Sequence, residues 1–488
     1  MVTPTPEQAA AIAAYGDGTD LVIQAGAGCG KSSTLKLIAR ADSRRRMAYV
    51  AYNRSIAADA KKTFPANVAA STGHGLAFDQ RWLPRLQRPR QTAFQAAQAL
   101  GVDRITGGIQ RIATDLGHVK AMTSKVVMHT ALETVERFCH SADDDLAARH
   151  VPRYDGLTGR DARAALVELV LPVARTAWAD LRREDGVLKF SHDHYLKLWA
   201  LDRPRLAADV VLLDEAQDTN DVLAAVLLDQ DHAQRIAVGD SAQQIYAWRG
   251  AKDALGRFER ELGAQLATLS QSFRFGPAVA EAANAWLYLV GTPLRLTGWQ
   301  ACESSVGPVD QPDAILCRTN AGAVGVVLEA LGAGRKAALV GGGSEMKRLA
   351  WAARDLQQGK STDHPELLAF PSWSAVREYA EEEDGSLRTL VRLIDEFGAE
   401  EIADAADALA SEDSAELIVS TAHKAKGREW PTVRIHGDFR APKPDPGTGH
   451  RILPREEARL AYVAVTRARQ RLDNAALSWV GTVTAVSD

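Results

Sequence analysis

Short apolar runs that end in glycine or acid recur along the chain, and longer segments with apolar residues three and four apart lie between them. In "DLVIQAGAGCGKSS", Leu21 to Gln24 reads as a buried strand, a glycine-rich turn follows, and a helix opens at about Lys31. "ADVVLLDEAQD" is a second such run, in which valines and leucines give way to Asp214 and Glu215. A third, "VGDSAQQIYAWRGA", carries an apolar strand tail into Gly239 and Asp240, then two glutamines, then Tyr246, Trp248 and Arg249. Further on, "DAILCRT", "AELIVST" and "TVRIHGDF" read as strands, with "LVGGGSE" as a turn. Helical spacing dominates "MHTALETVERFCHSADDDLAARH" and "AALVELVLPVARTAWADLRRE". Strands that alternate with helices in this way predict parallel α/β sheets, here interrupted by helical insertions.

Composition adds limits rather than identity. The chain has 488 residues and a formal net charge of −4, so nucleic-acid binding is not favoured by bulk charge and must be local. No apolar run approaches the roughly 18 residues of a membrane helix, and "MVTPTPEQAA" lacks the features of a signal peptide. A cytoplasmic protein is expected, with no membrane partner. Cys29, Cys139, Cys302 and Cys317 are scattered and show no metal or disulfide spacing. "DQRWLPRLQRPRQ" sets Arg81, Arg85, Arg88 and Arg90 around Trp82, which reads either as a phosphate-neutralising patch or as a solvated linker.

The first turn fits a phosphate-binding loop from Ala25 to Ser32, with alanine in place of its first glycine. Gly26, Gly28 and Gly30 let successive backbone N–H groups face one anion at the positive end of the next helix. Ala25, Gly26, Ala27, Gly28, Cys29, Gly30, Lys31, Ser32 and Ser33 form the expected nucleotide cradle, with Lys31 on the β and γ phosphates and Ser32 on Mg2+. Asp214 is placed to hold the same Mg2+ through water, and Glu215 to orient or deprotonate an attacking water. ATP and Mg2+ are the expected cofactors.

With "DEAQD" followed by "VGDSAQQIYAWRGA", the chain resembles superfamily 1 helicases of the UvrD/Rep/PcrA type, and the likeness continues in order. "TPEQAAAI" looks like the Q motif, which implies Gln8 on the adenine edge. "VAYNRSIAADA" and "STGHGLA" look like motifs Ia and Ib, which implies Tyr52, Asn53, Thr72 and His74 along single-stranded DNA. "LSQSFRF", "STAHKAKGREW" and "EEARLAYVAVTRARQRL" resemble motifs IV, V and VI. By this resemblance Gln243 senses the γ-phosphate, Phe273 stacks on adenine and Glu429 holds the ribose hydroxyl. Arg274 and Arg467 close the outer side of the transferring phosphoryl group. Tyr246 and Trp248 stack on bases, a grip of roughly 1–3 kcal/mol per base that tolerates any sequence. Arg249 has two readings, a DNA phosphate contact or a brace for its loop, and His423 and Lys424 are placed near the same track.

Three positions depart from the pattern: Gly73 stands where an aromatic often precedes the histidine, Gln244 where serine is usual, and Phe273 where tyrosine is common. Closer still, "VAYNRSIAADAKKTFPANV" and "SHDHYLKLWAL" look like the helicase part of the F-box DNA helicase family and its bacterial and phage relatives. No F-box segment precedes Gln8 and no nuclease segment follows Arg467, so neither role is expected.

The resemblance implies an α/β fold of two RecA-like P-loop NTPase domains with mainly parallel sheets, each carrying a helical insertion. The expected division is 1–84 and 195–272 for the first motor domain, 85–194 for its insertion, 273–355 and 413–488 for the second, and 356–412 for a reduced insertion. The expected function is an ATP-dependent single-stranded DNA translocase and helicase, moving 3′ to 5′, in replication, repair or recombination. Its expected partners are single-stranded and tailed or forked duplex DNA, with recombinase filaments or single-strand-binding protein. The alternatives are a translocase that mainly strips proteins from DNA, and an ATP-switched DNA-binding scaffold without productive stepping.

Overall fold

Apolar runs too short for a helix become the inner strands of two parallel sheets. The computed structural model describes the chain apart from residues 1–2, 116, 155, 246–253, 365, 383–385, 446 and 486–488. In chain order the strands are β1 (Leu21–Ala25), β2 (Met47–Ala51), β3 (Val68–Thr72), β4 (Gln110–Ala113), β5 (Val119–Met122), β6 (Val210–Leu213), β7 (Gln234–Gly239) and β8 (Gln265–Leu269). They continue as β9 (Ser305–Val306), β10 (Ala314–Cys317), β11 (Ala337–Leu339), β12 (Leu417–Thr421), β13 (Trp430–Ile435), β14 (Ile452–Leu453), β15 (Ala468–Asp473) and β16 (Thr484–Ala485). One six-stranded sheet has the order β3-β2-β6-β7-β1-β8 and the other β11-β12-β10-β13-β15-β9. Every pairing within these two sheets is parallel. This is the two-sheet α/β architecture expected from the sequence.

Both faces of the first sheet are covered, which is why its strands read as nearly unbroken apolar runs. Leu21 and Ile23 of β1 pack in one apolar cluster with Tyr49, Leu212 and Val238, while Val22 points the other way, to Val50, Val211 and Leu213. The first of these clusters continues through Trp286 and Leu287 of the helix Pro277–Val290 to Leu316, Val433 and Ile435 of the second sheet. A shared apolar core therefore ties the two sheets together beneath the strand ends that carry the candidate chemistry.

A separate cluster, containing Phe138, Leu166, Trp178 and Phe190, is built from the helices Ser124–His140, Arg160–Leu181 and His192–Leu201. It reaches Ala77 and Trp82 on one side and Tyr195 and Leu196 on the other. The inserted segment also holds an antiparallel hairpin, β4 against β5, that helical spacing did not signal. Its inward alternation is masked because Lys120, rather than an apolar residue, occupies a buried position on β5. In the second half, the helices Trp373–Glu382 and Ser386–Asp407 pack on the outer face of the sheet, the latter kinked at Gly398.

The reading of the leading basic stretch as a phosphate patch is corrected at two of its residues. The Arg85 side chain is 1% exposed and donates to the carbonyls of Asp180, Leu181, Arg183 and Leu188, besides facing the Asp180 carboxylate at 3.6 Å. Trp82 stacks on Phe190 with ring centroids 4.6 Å apart. Arg85 is interior because its two terminal guanidinium nitrogens satisfy loop carbonyls that would otherwise be buried unpaired, and Trp82 because its ring packs on Phe190. Among the described residues, no helix is long and apolar enough to cross a membrane.

Candidate active site

The turn after β1 is shaped by two glycines, Gly28 (φ 76°) and Gly30 (φ 78°), in the left-handed region that other residues enter at a cost. The helix Lys31–Ala41 starts directly behind Gly30 with no side-chain cap, so its first-turn amides, Lys31 to Ser33, are free of intrahelical partners. The loop lies tightly against the segment after β8. Gly26 N donates to the Leu269 carbonyl at 3.1 Å, Phe273 N to the Gly28 carbonyl at 2.9 Å, and Ser272 Oγ to the Ala27 carbonyl at 2.8 Å. A β-carbon on Gly28 would come within 2.6 Å of Arg274 Cβ, so glycine is required there twice over. Ala25, Ala27 and Cys29 are buried, and burial pushes the Cys29 thiol well above its ordinary range.

Five charged or hydroxylic groups converge behind this loop. Ser32 Oγ donates to Asp214 Oδ2 at 2.8 Å, and Tyr49 OH donates to the same oxygen at 2.6 Å. Lys31 Nζ stands 3.0 Å from Glu215 Oε2. Burial and the charge of Glu215 push the Asp214 carboxyl up, against the hydrogen bonds from Tyr49 and Ser32. Burial also opposes the charge on Glu215, but Lys31, the Gln217 amide and Lys426 outweigh it and hold that carboxyl down at about 2. Glu215 is therefore ionised at neutral pH, as a proton acceptor must be. Its backbone has φ 51°, a strained value for a side chain of this size, of the kind that collects at functional sites.

The second half of the chain supplies cations to the same place. Arg467 is 1% exposed, and its Nη2 lies 3.3 Å from Gln243 Oε1. Burial lowers its guanidinium to about 9, which leaves it charged at neutral pH. Arg274 Nε donates to Glu429 Oε2 at 2.6 Å, so these two residues, assigned to phosphate and ribose by resemblance, meet each other. Gln8 caps its own helix with Thr5 and donates to Thr34 Oγ1 at 3.2 Å. A β-carbon on Gly30 would sit 3.3 Å from Gln8 Nε2 and 3.7 Å from the Phe273 ring, so an amide edge and an exposed ring flank the loop's end as an adenine site needs.

Several contributors were not singled out in the sequence. Tyr462 OH donates to Asp240 Oδ2 at 3.0 Å and accepts from Ala27 N at 3.1 Å, joining the second half to the phosphate loop. Asp240, fully buried, also accepts from Gln243 Nε2 at 2.7 Å. Lys426 Nζ pairs with Asp218 Oδ1 at 2.5 Å. The signal was present, since Tyr462 and Lys426 lie within the strings that resemble motifs VI and V, but spacing alone does not say which polar residue of such a string turns inward.

The other described candidates lie at or just beyond the C-terminal ends of β2, β3 and β12. Tyr52 is 48% exposed beyond β2. Asn53 Oδ1 and Thr72 Oγ1 accept from the Ile56 and Gly75 amides as helix caps. His74 Nε2 is 2.9 Å from Asp193 Oδ1, which anchors it to the insertion. Gly73 is dictated by packing, because a β-carbon there would meet Leu223 Cδ2 at 2.6 Å. Half-buried His423 and Lys424 follow β12, and Lys424 lines a small cavity with Leu339, Glu345 and Met346. Tyr246, Trp248 and Arg249 lie outside the described residues.

A family described as an AAA domain matches residues 8–249, and the UvrD-like helicase C-terminal domain matches residues 353–477. F-box DNA helicase protein 1 of Schizosaccharomyces pombe is 30% identical over 506 residues, covering 93% of this chain and 55% of that protein. F-box DNA helicase 1 of Gallus gallus is 27% identical over 498 residues, covering 93% of this chain and 47% of that protein. The chain thus spans about half the length of these curated relatives. DNA helicase II of Escherichia coli is 40% identical over 79 residues, 15% of this chain and 11% of its own. With the two family matches in chain order and the two F-box DNA helicases matched along nearly all of it, the chain belongs to the UvrD-like helicases of superfamily 1.

Proposed function

We propose that this chain is a DNA-stimulated ATPase that translocates 3′ to 5′ along single-stranded DNA and unwinds tailed or forked duplexes. The observation that carries the reading is the meeting of Lys31, Glu215 and Gln243 from the first half with Arg467 and Tyr462 from the second. A site completed by both halves makes hydrolysis depend on their closing together, which is what a stepping motor requires. The names of the relatives, DNA helicases, support DNA as the track. The 3′ to 5′ direction rests on the motif resemblance.

Ser32 and Asp214 fit a Mg2+ site, since a hydroxyl and a carboxylate already share a hydrogen bond of 2.8 Å beside the loop. Bound there with ATP, Mg2+ would neutralise charge on the β and γ phosphates. Lys31 exchanges Glu215 for phosphate, and Glu215 takes the proton of the attacking water. Arg274 and Arg467 stabilise the outer oxygens, Gln8 and Phe273 hold adenine, and Glu429 releases Arg274 to take the ribose hydroxyl. Tyr52, Asn53, Thr72, His74, Tyr246, Trp248, Arg249, His423 and Lys424 form the DNA track. The motor domains are assigned to 1–84 with 195–272 and to 273–355 with 413–488, the insertions to 85–194 and 356–412.

Steady-state ATP hydrolysis with and without single-stranded DNA, on the wild type and on Trp248→Ala, tests the reading. Strong stimulation that Trp248→Ala largely loses, followed by unwinding of duplexes with a 3′ tail and not a 5′ tail, is expected. Turnover indifferent to DNA in both proteins would overturn it.

A further inference from the structure

Among the described residues, two groups of metal-ligating side chains stand together away from the nucleotide site: Cys317 with His436 and Asp438, and Glu136 with His140 and Asp193. The first is already committed. Both Asp438 oxygens accept from amides, of Arg318 and Thr319, and burial pushes the Cys317 thiol well above its ordinary range, away from the thiolate that a metal takes. The second group is built differently.

Glu136 and His140 stand four positions apart at the end of the helix Ser124–His140, so their side chains fall on one face of it. Asp193 comes from the first turn of the helix His192–Leu201. One ligand atom from each of the three lies within 4.8 Å of the others. His140 Nε2 and Asp193 Oδ2 are 3.5 Å apart, which is long for an N–H···O hydrogen bond and close to the roughly 3.4 Å between two ligand atoms of one tetrahedral Zn2+. The other Asp193 oxygen is 2.9 Å from His74 Nε2, an outer partner of the kind that fixes a ligating carboxylate. Phe138 and Cys139 beside His140, and Tyr195 beyond Asp193, are buried in the insertion's apolar cluster, so both helices hold these side chains on a packed floor. The last turn of a helix also carries negative partial charge, which favours a cation there.

We propose that Glu136, His140 and Asp193 bind one divalent transition-metal ion of the zinc class, with a water as its fourth ligand. An imidazole nitrogen among the ligands selects such an ion over Mg2+ and Ca2+, which take oxygen. The two carboxylates balance its charge, and exposed Glu136 leaves the water side open to solvent. The ion would tie two helices of the insertion together and, through Asp193, fix His74 just beyond β3. It is separate from the Mg2+ assigned to Ser32 and Asp214, and the site stands whether or not the chain is a motor.

The test is Zn2+ binding to the full chain by calorimetry, with Mg2+ in excess to hold the nucleotide site, for the wild type, His140→Ala, Glu136→Gln and, as a control for that site, Ser32→Ala. Thermal unfolding with and without Zn2+ runs in parallel. The wild type and Ser32→Ala should bind one Zn2+ per chain and gain thermal stability from it. His140→Ala should bind Zn2+ about a hundredfold more weakly, since loss of an outer partner alone costs about 10–100-fold, and should lose the stabilisation. Glu136→Gln, a change at an exposed side chain that keeps the test open if His140→Ala does not fold, should weaken binding by about tenfold or more. Co2+ in place of Zn2+ should give the visible absorption of a tetrahedral site without a thiolate charge-transfer band, which separates this group from the one containing Cys317. A wild type with no saturable Zn2+ binding overturns the site. So does binding that His140→Ala and Glu136→Gln leave unchanged, which would mark an ion held elsewhere, and so does binding lost in Ser32→Ala alone, which would place the ion at the phosphate loop.

Discussion

Each sheet sends a strand into a helix, and the two strand–helix junctions settle their helix-start charge in opposite ways. In the first sheet, β1 passes through left-handed Gly28 and Gly30 into the helix Lys31–Ala41, which has no side-chain cap. In the second, β10 passes through Arg318 and Thr319 into the helix Asn320–Gly332, where Thr319 Oγ1 accepts from Gly322 N at 2.8 Å. Asp438, 7% exposed, then accepts from the Arg318 and Thr319 amides, both at 2.9 Å. Gly322 leaves it room, since a β-carbon there would lie 2.1 Å from Asp438 Oδ2. The second junction carries its own anion, whereas the first leaves its amides for an anion from outside. On the proposed function, phosphate goes to the junction that lacks an internal carboxylate, and the half without the glycine-rich loop brings Arg274, Lys426 and Arg467 to the same place.

The largest break in this comparison is Lys31→Ala. Turnover at saturating DNA should fall about 10²–10³-fold, the scale of losing one preorganised electrostatic group in a transition state. Loss of less than tenfold would mean that the first junction is not where the phosphates sit. Next comes Asp438→Ala, which leaves two loop amides beside the second helix without their acceptor. Chemical denaturation should register a loss of about 1–3 kcal/mol, the usual cost of an unsatisfied buried group. If Asp438→Ala instead impaired turnover as Lys31→Ala does, with stability intact, the two junctions would not be distinct in role.

The first junction was legible in the sequence and the second was not, for a physical reason. A phosphate loop needs glycines and a lysine at fixed short spacing, so Gly26 to Ser32 stand out in a single string. The carboxylate beside the start of the second helix comes from Asp438, 119 residues from Thr319, and no local pattern announces such a partner. The same holds at the active site. Asp214 and Glu215 could be placed from the apolar run before them, but Tyr462 meets Ala27 from 435 residues away. Strand and helix periods also carried the sheets, while the β4–β5 hairpin was hidden by buried Lys120, which breaks the apolar alternation.

Smaller changes sharpen the contrast. Gly30→Ala places a side chain at φ 78° and a β-carbon 3.3 Å from Gln8 Nε2, so thermal unfolding should show a loss of about 1 kcal/mol or more, with weaker nucleotide binding. An unchanged protein would mean that the left-handed turn is not required.

The smallest effect expected is in the acid limb of stability, and it bears on the charge of Asp438 itself. Burial works to raise that carboxyl, but the hydrogen bonds from His436 and from the Arg318 and Thr319 amides outweigh it, and the folded value lies below the unfolded one. A carboxylate depressed in this way contributes stability that is fully present above its unfolded value and lost as pH falls through the folded value. Denaturation of the wild type and Asp438→Asn, compared from about pH 5 downward through the ordinary carboxylate range, should therefore show the wild type losing more stability with acid. Parallel losses would mean that Asp438 is not ionised where it binds the Arg318 and Thr319 amides. The second junction would then be held by neutral hydrogen bonds alone, and the two junctions would differ in geometry rather than in charge.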